Sequence, residues 1–330
     1  MDSERNQAAS PPAPPSMRTS TGKPAGKPRF LQLLKNKELL ILALPAIIYK
    51  LIFAYIPMYG VIIAFKEFRY DKGIWGSEWV GFDNFEFLFK TEYAWRITRN
   101  TILYNLSYLI LTTICALAIA VLMNELSRRS VKFHQTTMFL PHFLSWILVG
   151  YVAYAFLEHS HGFANVMLIK AGLPPISWYK ETYVWPYILN IVHLWKGVGF
   201  SALLYYAAII GVNPEYYDAA KIDGASRFQI ATKVTIPMIA PLISILLILS
   251  LGGIIHGDFG LHYFVPNQQV STFTYPTTDV IDTFVLRAIG GLGNFGMASA
   301  VGFYQSFVGL VLIVIVNLIV RKLDEEKSLF

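Results

Sequence analysis

Long stretches almost free of charge recur along these 330 residues, and they limit the fold more than any other feature. An α-helix needs about 20 apolar residues to cross the hydrocarbon of a bilayer. Six candidate spans meet or approach that length: residues 39–65, 101–123, 137–157, 184–210, 242–255 and 297–320. The fifth is short and reaches full length only if its helix continues back through Pro241 or forward toward Phe264. The chain is 55% hydrophobic and 15% charged, whereas soluble domains run nearer about a quarter charged. Its mean hydropathy is +0.47. The expected fold class is therefore an all-α integral membrane protein with about six transmembrane helices. The single cysteine, Cys115, lies inside an apolar run and reads as packing; it allows no disulfide within the chain and no cysteine metal site.

The net charge of +6 raises the question of nucleic-acid binding, and its distribution answers it. With the N-terminus inside, the inner segments hold sixteen Lys and Arg against nine in the outer ones. Positive residues favour the cytosolic side, most clearly in short loops. The inner loop 124–132, with Arg128, Arg129 and Lys132, is such a loop. The excess charge is topological, no nucleic-acid partner is expected, and both termini are expected in the cytosol. Residues 1–34 read as a disordered cytosolic tail, rich in Pro, Ser, Ala and Gly. The first apolar run starts too late and runs too far for a signal peptide. A membrane domain is expected over 35–320, with a cytosolic loop at 211–241 and a cytosolic tail at 321–330. Outside, segment 66–99 mixes aromatic residues such as Trp75 and Trp79 with charges, which suits the interface belt or a partner. Segment 256–296, with Pro266 and Pro276, is expected to fold over the outer end of a pathway.

The inner loop 211–237 is the most informative segment. Asn213 is a good N-cap, Pro214 suits the first helical position, and Glu215 favours the positive end of the helix dipole. Gly224 fits the position that ends a helix, and Ser226 with Gln229 forms a capping box for another. Pro237 and Pro241 are expected to bound the start of the fifth span. The result is a short helix over 214–223, a glycine turn and a second helix on the cytosolic face. Ala219 and Ala220 permit close approach of another surface, while Tyr216 and Tyr217 offer large contact area. A helix of this kind can transmit a push from a soluble partner; the plain alternative is a helix lying on lipid.

Asp218-Ala219-Ala220, three residues, Gly224, nine residues and Val234-Thr-Ile236-Pro237 resembles the Glu-Ala-Ala signature of binding-protein-dependent ABC transporter permeases. The departures are Asp for Glu at 218, Val for Ile at 234 and Ile for Leu at 236. Trp79-Val-Gly-Phe-Asp-Asn-Phe85 resembles an outer-loop motif of sugar-importer permeases. Asp258-Phe-Gly260, the segment Tyr275 to Asp282 and the ending Val320 to Asp324 resemble the subgroup handling oligo- and polysaccharides, alginate-type importers included. The resemblance covers roughly residues 35 to 330. It implies a type I-like importer permease fold in a bacterial inner membrane. It also implies an ATPase-coupling set of Glu215, Tyr217, Asp218, Ala219, Ala220, Gly224, Arg227 and Pro237. Its implied partners are a second similar permease, a cytosolic ATPase dimer, an extracytoplasmic solute-binding protein, membrane lipid and a saccharide. No Gly-x-x-x-x-Gly-Lys-Ser/Thr loop is present, so ATP and Mg are expected on the separate ATPase and no cofactor on this chain. Catalytic residues and metal ligands are not expected; His159 and His161 border an outer loop as solvated groups.

Polar groups inside spans are the default pathway candidates, because each costs free energy in the bilayer. Lys196 is the foremost. Asn190, His193 and Lys196 recur at three-residue steps, with Tyr187 a turn earlier, and such spacing can share one helix face. The competing reading pairs Lys196 structurally with a neighbouring helix. Lys50 reads as a snorkelling or packing residue. Tyr304 and Gln305 are weaker cavity candidates, and Arg287 is a candidate to attract an acidic saccharide. An ion-coupled secondary transporter is the alternative; it would ordinarily carry an inverted repeat, and none is visible.

Overall fold

A computed structural model describes residues 37–323 apart from 292. The expected tail at 1–34 and most of that at 321–330 lie outside the described residues; Arg321 and Lys322 still belong to the last helix. The chain divides into two units, Met1–Tyr59 and Gly60–Phe330. In the first, the helix Lys37–Lys50 leads into a π turn, Leu51–Tyr55.

Helices long and apolar enough to cross a membrane occupy Leu40–Phe65, Glu92–Asn124, Thr182–Ile210, Arg227–Gly252 and Phe295–Lys322. We call these spans one, two, four, five and six. Span three is a pair, Arg128–Phe143 and Trp146–Leu157, bent by 97°. An apolar medium offers no hydrogen bonds, so the backbone must be satisfied within helices or by neighbouring side chains. Three expectations change. Span two starts at Glu92 rather than 101, so Arg96 and Arg99 sit on its first turns instead of in a loop. The expected continuous helix over 137–157 is broken. Span five is full length because the second inner-loop helix runs straight into it, through both Pro237 and Pro241.

One device accommodates Pro57 and Pro237. A π turn, Ala231–Thr235, immediately precedes Ile236 and Pro237, as Leu51–Tyr55 precedes Ile56 and Pro57. The N–H of Ile56 reaches Leu51 O, five residues back, at 3.0 Å, and Ile236 N–H bonds Ala231 O in the same way. A proline ring clashes with the carbonyl four residues earlier, and a wider turn relieves that clash without ending the helix.

Spans two and four pack tightly over small residues. Ala116, Ala120 and Ala202 are fully or almost fully buried beside Tyr205 and Ile209, as small side chains allow close helix approach in lipid. Gly199 lies against Met138 of the first half of span three, where an added Cβ would fall 2.0 Å from the Met138 carbonyl oxygen. On the outer side, Lys66–Glu67 and Glu78–Trp79 form a two-stranded antiparallel ribbon. Within the Trp79–Phe85 motif, Gly81 has φ +63°. The Asn84 amide donates to Ala64 O and Lys66 O, both at 3.0 Å. That motif is a clasp between the outer end of span one and the segment that follows it.

Gly199→Ala is expected to destabilise the protein by about 1–3 kcal/mol through overpacking, read as a lowered unfolding midpoint in micelles; an unchanged midpoint would refute the close contact.

Candidate functional site: a cytosolic helix and a polar seam

The helix expected over 214–223 is Pro214–Ile222, as the sequence signals require. Asn213 Oδ1 accepts from Glu215 N–H at 3.1 Å, and Gly224 closes the helix at φ +75°. Ser226 and Gln229 form the reciprocal capping box. Asp218 pairs with Lys221 at 3.2 Å on the exposed surface. Glu215 and Ala219 are exposed and Tyr217 and Ala220 half-buried. Arg227 reaches Glu125 of the preceding inner loop at 3.0 Å, which ties the two inner loops together. Three large side chains stand out from this rigid turn: Tyr216, Ile222 and Phe228, the last two 86% and 78% exposed. Pro237 lies beyond it, at the start of the regular part of span five.

The second feature is a row of polar side chains on span two that holds segment 254–283. Asn100 Nδ2 donates to Pro276 O and Asp279 O at 3.2 and 3.1 Å. Thr101 Oγ1 accepts from Ile281 N–H at 3.0 Å. Tyr104 donates to Thr277 O at 2.8 Å, and Asn105 Nδ2 to Ile254 O and His256 O. Tyr108 meets His262 Nε2 at 3.2 Å. Burial pushes the His262 pKa down to about 4, so its imidazole is neutral at physiological pH. Burial likewise raises the pKa of the Asp258 and Asp282 carboxyls from their ordinary value. Sequence reasoning missed this row; its signal was the spacing of Asn, Thr and Tyr at 100, 101, 104, 105 and 108, one helical face. Inward of the seam lies a cavity of about 320 Å³ lined by Asn105, Tyr108, Thr112, His193, Ser201 and Ser250 among others. The His193 ring stacks on Tyr108 at 4.0 Å. His193 Nδ1 and Thr112 Oγ1 are buried without a partner.

The sequence-derived pathway residues do not form one surface. Of Tyr187, Asn190, His193 and Lys196, only His193 lines this cavity. Tyr187 is 72% exposed. Asn190 is engaged at both ends of its amide, accepting from Ser107 at 2.8 Å and donating to Pro186 O at 2.7 Å. Lys196 serves the break in span three: its ammonium donates to His142 O at 2.9 Å and lies 4.9 Å from the Trp146 ring centre. A broken helix exposes carbonyls, and this lysine satisfies one of them, as the structural reading allowed. Gln305 is buried and donates to Ile255 O and Asp282. Tyr304 faces an aromatic recess with Phe89. Arg287 is not a free charge: it pairs with fully buried Asp279 at 2.6 Å and bonds Tyr93. Among the described residues no group of three His, Cys, Asp or Glu is placed to hold a metal ion.

These features define a multi-pass helical membrane protein with a short, capped and largely exposed helix between spans four and five. Residues 109–325 match the family described as binding-protein-dependent transport system inner membrane component, and the chain belongs to that family. It is a transport permease subunit of the inner membrane. Among similar proteins, the polygalacturonan/rhamnogalacturonan transport system permease protein YteP of Bacillus subtilis (strain 168) is 34% identical, over 90% of this chain and 92% of its own. The diacetylchitobiose uptake system permease protein NgcF of Streptomyces coelicolor is 27% identical, over 93% and 91%. A crystal structure of a bacterial ABC transporter involved in import of the acidic polysaccharide alginate matches with a TM-score of 0.80 and 32% identity, over 90% of this chain and 99% of that one. The alginate transporter in complex with an alginate pentasaccharide-bound periplasmic protein matches at 0.79. These likenesses agree with the importer reading and leave the ion-coupled alternative without support.

Lys196→Met is expected to destabilise the substrate-free protein by about 1–3 kcal/mol, because it strands the His142 carbonyl, while Lys196→Arg recovers most of the loss. Unfolding midpoints measured without saccharide test this, and a neutral Met variant would reject the clasp.

Proposed function

We propose that this chain is the transmembrane subunit of an ATP-driven importer for oligo- or polysaccharides, with uronate-rich polymers as favoured cargo. The observation that carries the reading is the helix Pro214–Ile222 with its Asp218-Ala-Ala and Gly224, held rigidly on the inner face with Tyr216, Ile222 and Phe228 bare. Large apolar side chains beside a capped helix suit a protein groove better than water. The partner is a separate ATPase pair carrying ATP and Mg. ATP binding closes that pair and moves the helix, and the Arg227–Glu125 pair passes the motion to the neighbouring inner loop. Because span five is one helix from Arg227 to Gly252, the motion also reaches the cavity flanked by Ser250. The spans then rock between outward- and inward-open states. His193, Thr112 and Ser201 would meet sugar hydroxyls in the cavity. A second, similar permease completes the pathway, and a soluble binding protein delivers the saccharide, as the pentasaccharide-bound periplasmic protein of the alginate system suggests by analogy.

In proteoliposomes holding the whole transporter, uptake is expected to require ATP and the ATPase. Gly224→Pro and Asp218→Lys are expected to leave insertion intact and lower uptake at least tenfold. Phe228→Asp is expected to release the ATPase on copurification. Uptake that persists in Gly224→Pro, or that runs on an ion gradient alone, would defeat the coupling role.

A further inference from the structure

The first outer segment accounts for most of its own positive charge. Lys66 is buried and donates to Ile74 O and Trp75 O. Arg69 pairs with Asp71, Lys72 with Glu78 and Lys90 with Glu86. Arg96 and Arg99, on the first turns of span two, have no acidic partner among the described residues. A solvated, flexible arginine would need no explanation, but Arg96 is held. Its guanidinium lies 4.8 Å from the Tyr93 ring centre, and its Nε is buried without a hydrogen-bond partner. The Tyr93 hydroxyl is itself fixed between Asp279 and Arg287. Beside it is an open, shallow surface on the first turns of span two, lined by Glu92, Tyr93, Trp95, Arg96 and Arg99. Trp95 is 68% exposed. Arg99 also lines an adjoining cavity of about 330 Å³ with Tyr104, Ser107 and Asn190, a run of hydroxyl and amide groups leading along span two.

The geometry points to a receiving site for uronate-bearing saccharide at the outer end of span two, made by Trp95, Arg96 and Arg99. The inference rests on the saccharide reading above and adds where and how the acid is read. Guanidinium groups meet carboxylates through paired N–H donors. Residues three apart on a helix are neighbours, about 5–6 Å apart at Cβ, so the two arginines are within reach of one carboxylate or of carboxylates on neighbouring rings. The exposed indole offers a flat apolar surface for a ring face. Glu92 on the rim disfavours anions lying outside the arginine pair. Neither Lys196 nor Arg287 supplies this charge, since each is engaged inside the protein.

The test uses the whole transporter in phosphatidylcholine nanodiscs without binding protein. The probes are trigalacturonate and trimannuronate, with maltotriose as the neutral reference. The wild type is expected to bind either triuronate and not maltotriose, with affinity falling as salt rises. The double variant R96Q/R99Q is expected to weaken triuronate binding at least tenfold. Since Arg96 also packs on Tyr93, the single variants Arg99→Gln and Trp95→Ala guard against a folding defect; each is expected to weaken binding several-fold while the assembly elutes normally. A wild type that binds no triuronate, or binds maltotriose as well, overturns the site. So do variants that bind as the wild type does. Repeating the measurement with phosphatidylglycerol in the discs separates the lipid alternative: variants that change only the retention of that lipid overturn the saccharide site. ATP-driven uptake of any saccharide that Gly224→Pro still abolishes would keep the permease reading alive when this site fails, whereas absence of any such uptake defeats that reading itself.

Discussion

The structure depends on satisfying backbone carbonyls and amides where helices stop inside an apolar medium. Segment 254–283 leaves regular helix close to the outer ends of spans two and five. Span two supplies the missing partners from its own side chains. Asn100, Thr101, Tyr104 and Asn105 each bond a backbone group of that segment. An unsatisfied buried group costs about 1–3 kcal/mol, so this row fixes the segment far more firmly than apolar contact alone. The ion pair of Asp279 and Arg287 with Tyr93 completes the same attachment.

The same logic governs the other irregularities. Span three breaks by 97° and is held by Ser145 as a cap on one side and Lys196 on the other. Glycines make room for that arrangement: Gly260 sits so close to Trp146 that a Cβ would fall 2.1 Å from its ring. Spans one and five pass Pro57 and Pro237 by way of π turns rather than by breaking. Span five therefore runs unbroken from Arg227, next to the inner-loop helix, to Gly252 at the edge of the cavity.

Charge follows the same division of labour. The cations that sequence reasoning singled out, Lys196 and Arg287, turn out to hold the fold together. Those it left in a loop, Arg96 and Arg99, are ordered on a helix and unpaired by acids. The expected shared face of Asn190, His193 and Lys196 fails for a related reason. Their spacing places them on one side of span four, but three different neighbours meet that side: Ser107, Tyr108 and the break near His142. Each neighbour claims one residue.

What the sequence determined by itself was everything local or one-dimensional. Apolar run length dictated helices long enough to cross a bilayer. Asn213, Pro214, Gly224, Ser226 and Gln229 dictated the short helix between spans four and five and its turn, because caps and glycine conformations act within a few residues. The Asp218-Ala-Ala pattern with Gly224 and Pro237 carried the resemblance to importer permeases. Tertiary structure alone decided which polar group meets which. The bend of span three, the passage of span five through two prolines, and the use of Lys196, Gln305 and Arg287 as internal partners all depend on residues tens to hundreds of positions apart. No local pattern encodes such meetings, since a lysine in a span reads the same whether it faces a cargo or a carbonyl until the neighbouring helix is in place.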